Sequence, residues 1–113
     1  MPQEPLVIED LAENGRRTLR LTGPILLNNL FDFQSRVRAD QSNDLILDFS
    51  GVPYIDSAGI GALVGAYVTR QKDGRRLCLV AVNDRVRAAL QVTRVEQFFS
   101  FYRSLAEAET AVA

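Results

Sequence analysis

Residues 44–63 read Asp44-Leu45-Ile46-Leu47-Asp48-Phe49-Ser50-Gly51-Val52-Pro53-Tyr54-Ile55-Asp56-Ser57-Ala58-Gly59-Ile60-Gly61-Ala62-Leu63. Leu45 to Phe49 form an apolar run short enough for a buried strand, and Ser50 to Pro53 supply turn residues. Beyond them Ile60, Leu63, Val64, Tyr67 and Val68 recur at helical spacing, and the helix is expected to run from about Ser57 to Lys72-Asp73-Gly74, with Gly74 as its C-terminal cap. Asp56 and Ser57 fall at the junction, and both are residue types that cap helix N-termini. One cap needs only one of them. The other stands at the mouth of a helix whose first N–H groups lack partners, where the helix dipole favours an added anion. On local sequence alone a cap with an ordinary neighbour and an anion-accepting serine are both open readings.

Outward from this junction, strands and helices alternate. Downstream, Leu77 to Val82 is a continuous apolar run that predicts a strand covered on both faces. Asn83 or Asp84 then caps a short helix with Val86, Ala89 and Leu90 inward. A last strand is expected over Phe99–Tyr102, and Ser104-x-x-Glu107 is a capping box opening a C-terminal helix. Upstream, Leu6–Ala12 and Thr18–Thr22 are strand candidates joined by Glu13-Asn14-Gly15-Arg16, whose Asn-Gly pair favours a hairpin. Alternation of Leu19 and Leu21 with Thr18, Arg20 and Thr22 marks the second strand as half-solvated and edge-like, and Gly23-Pro24 breaks it. Leu26, Leu30, Phe33 and Val37 then form one stripe of a helix over about Leu26–Ala39, a spacing that favours Leu26 as a core residue over a loop position. The predicted order is β-β-α-β-α-β-α-β-α. This is an α/β fold with a mixed, mostly parallel sheet of about five strands, an N-terminal hairpin and about four helices, its crossovers right-handed.

Composition bounds the function. The 113 residues suit one domain over 1–113, with an ordered core over about 6–111. Thirteen basic and fourteen acidic residues leave a net charge of −1, which supplies no electrostatic footprint for nucleic acid or a membrane surface. Without histidine the chain lacks a Ser-His-Asp triad and most zinc sites, so no catalytic residue, cofactor or metal is expected. A serine without a base is a poor nucleophile but a competent phosphate acceptor. Gly59, Gly61 and Gly65 superficially match a dinucleotide fingerprint, but the last falls one residue late. Close packing of the helix on the sheet accounts for them, Gly65 included. The rings of Phe98, Phe99, Phe101 and Tyr102 lack the basic surface that base stacking requires, so they are read as a core-forming last strand with one or two exposed rings. Cys78, the single cysteine, is expected to be a buried small hydrophobe, which suits a reducing compartment. The opening Met1-Pro2-Gln3-Glu4-Pro5 carries no signal-peptide pattern, and the longest apolar run, Ala58–Val68, is far short of the roughly 20 residues of a membrane helix. A cytoplasmic protein is expected.

The strand carrying Asp48, followed by Asp56-Ser57-x-Gly59-x-Gly61, resembles the STAS domain, above all the stand-alone bacterial anti-sigma factor antagonists. The resemblance runs from about Leu6 to Ala111. It implies that Ser57 is phosphorylated by an anti-sigma factor with a histidine-kinase-like ATPase fold, and that a phosphoserine phosphatase reverses the modification. It implies partner contacts at Tyr54, Asp56, Ser57, Ala58 and Ile60, and partner switching in which the unphosphorylated protein sequesters the anti-sigma factor. Many phosphorylated members carry an acidic residue shortly after the glycine that ends the second strand. Leu26 stands near that place here, and Asn28 and Asn29 are the nearest polar groups. The alternative reading on the same fold is a constitutive interaction subunit, such as one bracing a lipid-transport ATPase.

Overall fold

Leu45, Leu47 and Phe49 belong to one hydrophobic cluster and Ile46 to another, so a strand at their position must be covered on both faces. The computed structural model, which describes residues 5–13 and 16–112, builds the molecule around that strand. The elements are β1 (Val7–Glu13), β2 (Arg16–Thr22), α1 (Phe31–Ala39), β3 (Asp44–Gly51), α2 (Ser57–Lys72), β4 (Arg76–Val80), α3 (Asp84–Val92), a 3-10 turn (Glu96–Phe98), β5 (Ser100–Tyr102) and α4 (Leu105–Val112). The sheet order is β1-β2-β3-β4-β5. β1 pairs antiparallel with β2, and β2, β3, β4 and β5 run parallel to one another. The Asn14-Gly15 turn lies outside the described residues, but the strands it joins pair from Val7↔Thr22 to Glu13↔Arg16.

The larger cluster joins Leu19, Leu21, Leu45, Leu47, Phe49, Leu77 and Leu79 of the sheet to Phe33, Val37, Leu63, Val86 and Leu90 of the first three helices. On the other face Ile46, Cys78 and Val80 pack with Ala108 and Val112 of α4. The continuous apolar run of β4 is therefore split between the two clusters, as its composition implies. Cys78 is buried and free, and burial raises its thiol pKa. Gly74, at φ +70, follows α2 as expected, Asn83 caps α3 by accepting from the Val86 N–H at 2.8 Å, and the Ser104 hydroxyl accepts from the Glu107 N–H at 3.1 Å.

Several expectations are corrected. β2 is not an edge strand: it lies between β1 and β3, and Thr18, Leu19 and Leu21 are buried. β4 stops at Val80, because Ala81 turns away at φ +57. The first helix starts at Phe31, five residues after Leu26. Asn29 takes the intervening chain into a turn: its Oδ1 accepts from the Leu26 N–H at 2.8 Å, and its Nδ2 donates to the Pro24 carbonyl at 2.9 Å. Leu30, Phe33 and Val37 keep their buried stripe, whereas Leu26 is only half-buried and belongs to neither cluster. On α2 the buried face runs through Gly59, Ile60, Ala62, Leu63, Ala66 and Arg70, leaving Val68 52% exposed. Small residues let this helix approach its neighbours closely, so bulk alone was a poor guide to its inward face. Nor do the glycines share one role. A Cβ on Gly59 would meet the Ile25 carbonyl oxygen at 2.3 Å, while Gly61 and Gly65 face open space beside α1.

Arg70 is the largest side chain of the interior. It donates to Asp40 Oδ2 at 2.8 Å, the Ser42 carbonyl at 2.6 Å and the Arg76 carbonyl at 3.0 Å. Ser42 Oγ also donates to Asp40 Oδ2, at 2.6 Å. The buried guanidinium thus ties the last turn of α2 to the α1–β3 connection and to the start of β4. Burial lowers its pKa, and the adjacent Asp40 opposes that shift.

Candidate functional site

Because β2, β3 and β4 are parallel, the loops that follow them emerge at one end of the sheet. These are the 23–30, 52–56 and 81–83 segments, and hydrogen bonds join them into one surface. Ile25 and Ile55 form an isolated parallel bridge, flanked by the Ile25 N–H donating to the Tyr54 carbonyl at 3.3 Å and the Asp56 N–H donating to the Ile25 carbonyl at 3.2 Å. Asn83 Nδ2 donates to the carbonyls of Val52 and Pro53 at 3.1 and 3.2 Å. The Arg85 guanidinium lies over the Tyr54 ring, 4.7 Å from its centroid.

The division of labour at the helix mouth is explicit. Asp56 is the N-cap, in extended conformation with φ −93 and ψ 179, and its Oδ1 accepts from the Gly59 N–H at 2.8 Å. Its Oδ2 accepts from the Leu27 N–H at 3.0 Å, across from the 23–30 loop. Ser57 is the first residue of α2, exposed to solvent, and is not the cap. Tyr54, Asp56 and Ala58 are half-buried around it. Ile60, expected among the partner contacts, is only 9% exposed and sits in the main core. It anchors α2 beneath the loop and offers little surface of its own.

Neighbours that sequence reasoning overlooked complete this surface. Leu27, whose N–H meets Asp56, is 75% exposed, and Phe31 at the start of α1 is 78% exposed, an unusual degree of exposure for large apolar side chains. Asn83, expected only as a cap, and Arg85 both hold the 52–56 segment. The signal for Asn83 was its place directly after the β4 turn, where its amide can donate backward while its carbonyl caps forward. Chemically, the site offers an exposed hydroxyl at a helix N-terminus, framed by apolar side chains and a cation. Among the described residues no group of three or more His, Cys, Asp or Glu could hold a metal, and no helix is long and apolar enough to cross a membrane. The rings of the C-terminal cluster pack on neighbouring side chains, with Phe98 still 40% exposed: Tyr67 stacks on Phe98 at 5.5 Å and meets Phe99 edge-on at 5.8 Å, and Arg87 covers Phe101 at 3.7 Å.

The STAS domain family model matches residues 8–108, spanning every strand of the sheet and the whole helix-mouth surface. The chain belongs to the STAS domain family. Among curated STAS relatives, an anti-sigma-B factor antagonist of Staphylococcus aureus is 28% identical over 57 residues, 50% of this chain and 53% of that protein. The match thus spans about half the length of the curated relatives. Solved structures agree on the fold. An anti-sigma factor antagonist from Mycobacterium paratuberculosis superposes with a TM-score of 0.84 at 23% identity, covering 95% of this chain and 93% of that one. The phosphorylated form of the Bacillus cell fate determinant SpoIIAA gives a TM-score of 0.73 at 16% identity, covering 96% and 99%. A sulfate transporter family protein from Wolinella succinogenes gives 0.74 at 22% identity, covering 89% and 87%.

Proposed function

We propose that this STAS domain is an anti-sigma factor antagonist whose partner binding is switched off by phosphorylation of Ser57. One observation carries the reading: Asp56 satisfies the helix cap, which leaves the Ser57 hydroxyl exposed at the first helical position. In the reaction Ser57 Oγ attacks the γ-phosphorus of ATP held by the anti-sigma factor kinase, its proton passes to a base of that kinase, and ADP leaves. The chain itself contributes no catalytic group. It acts by binding, as one cytoplasmic domain over 1–113, without direct contact to nucleic acid or a membrane. Tyr54, Asp56, Ser57 and Ala58 meet the anti-sigma factor, with Ile60 supporting them from below.

The switch is electrostatic. A phosphate adds about −1.5 to −2 charges and three strong acceptors. The helix N-terminus tolerates that charge, so the fold survives modification. An interface does not, because an unpaired desolvated anion costs several kcal/mol, and about 3 kcal/mol already weakens binding roughly a hundredfold. A phosphoserine phosphatase resets the cycle. Incubation with the histidine-kinase-like anti-sigma factor encoded nearest this gene and radiolabelled ATP, followed by phosphopeptide mapping, tests the assignment. Label at Ser57 is expected, and label only at Ser42, Ser50 or Thr69 overturns it.

The second reading, a constitutive STAS subunit bracing a transport ATPase, draws support from Leu26 occupying the place of the usual acidic residue and from the exposed Leu27 and Phe31, which suit a permanent apolar contact. Copurification with a transporter, and no labelling by any anti-sigma kinase, favours it.

A further inference from the structure

Asp56 does more than cap a helix. One carboxylate oxygen accepts from Gly59 in α2 and the other from Leu27, which lies 29 residues earlier in the chain. Resting on the reading of Ser57 as the phosphoacceptor, we infer that Asp56 is a latch holding the 26–30 segment to the helix mouth, and that a phosphate on Ser57 releases it.

The argument is one of competition for donors. A phosphate on the first helical residue draws on all the N–H groups of the first turn, and one of them, the Gly59 N–H, is the donor that Asp56 Oδ1 already uses. Two anions on adjacent residues also repel, and the carboxylate is the one free to turn away about its side-chain torsions. Once it turns, Oδ2 leaves the Leu27 N–H. That N–H sits at the surface, so water replaces the lost acceptor and the backbone is not left with a buried orphan. The release is confined. Ile25 remains bridged to Ile55, and Asn29 still closes its turn on Leu26 and Pro24. What changes is the presentation of Leu27, 75% exposed. Phosphorylation then alters the apolar part of the surface as well as its charge.

The test needs neither kinase nor partner. Protein with phosphoserine installed at position 57 by genetic encoding is compared with unmodified protein, reading amide–solvent exchange by NMR. The Leu27 amide is expected to exchange at least about tenfold faster in the phosphoserine protein, the factor corresponding to 1.4 kcal/mol. The Ile60 amide, bonded to the Asp56 carbonyl, stays unchanged as the internal reference. In Asp56→Asn, with its one oxygen kept on the Gly59 N–H as the cap, the side-chain NH2 faces the Leu27 N–H, so Leu27 exchange rises without phosphate and phosphoserine adds less than about twofold. Unchanged Leu27 exchange in the phosphoserine protein overturns the latch, whether or not Asp56→Asn folds. Failure of a kinase to label Ser57 overturns the proposed function and leaves this result standing.

Discussion

Two neighbouring residues of cap type usually make one of them redundant, and here Asp56 leaves Ser57 the spare. Removing the Ser57 hydroxyl should therefore cost little: Ser57→Ala is expected to stay within about 1 kcal/mol of the parent in urea titration, below the usual cost of a lost cap, while losing all phosphorylation. Asp56→Ala, which removes the true cap, should cost about 1–2 kcal/mol in the same measurement. Leu26 offers a sharper comparison. Because it is half-buried in a turn and outside both clusters, Leu26→Asp should fold with its stability lowered by about 1 kcal/mol or less. With a carboxylate restored beside the helix mouth, the initial rate of Ser57 phosphorylation should rise. The melting temperature is measured first, then the rate. A variant that fails to fold contradicts the turn assignment, and an unchanged rate shows that the kinase does not read this position.

At the level of elements, α2 decides how the site is held, and its glycines separate two physical roles. Gly59→Ala drives a Cβ to 2.3 Å from the Ile25 oxygen and 2.6 Å from Ile55 Cγ1, so it should destabilise by about 1–3 kcal/mol or more. Gly61→Ala places its methyl in open space and should stabilise by up to about 1 kcal/mol. Opposite signs in paired urea titrations check the packing of α2 directly. The same helix shows what was legible in the sequence. The strand–turn–helix junction, Gly74 and both caps are local patterns, readable from adjacent residues. The inward face of α2 was misread at Val68 because Ala62 and Ala66 face the core in place of bulkier residues. The start of α1 was misread because one side chain, Asn29, diverts a helical pattern into a turn. The second contact of Asp56, at Leu27, depends on two loops meeting, and no local pattern encodes it.

Across the whole molecule the mostly parallel sheet separates the end held by Arg70 from the end proposed for recognition. Arg70 lies 13 residues beyond Ser57 on α2, about 20 Å along the helix axis. Its partners Asp40 and Ser42 are 30 and 28 residues away in sequence, which is why composition alone did not reveal it. Asp40→Ala strands a buried guanidinium and should cost about 3–5 kcal/mol, read as a lowered denaturation midpoint. At temperatures where that variant remains folded, Ser57 should still be phosphorylated at the parental rate, since about 20 Å of helix separates the two positions. The recognition end carries the central claim, that charge at Ser57 controls a protein partner while sparing the fold. The most direct test is calorimetric titration of the neighbouring-gene anti-sigma factor with unmodified protein and with protein phosphorylated at Ser57, alongside the melting temperature of each. The account predicts that phosphorylation weakens binding about a hundredfold with the fold retained. Equal affinity of the two forms contradicts it.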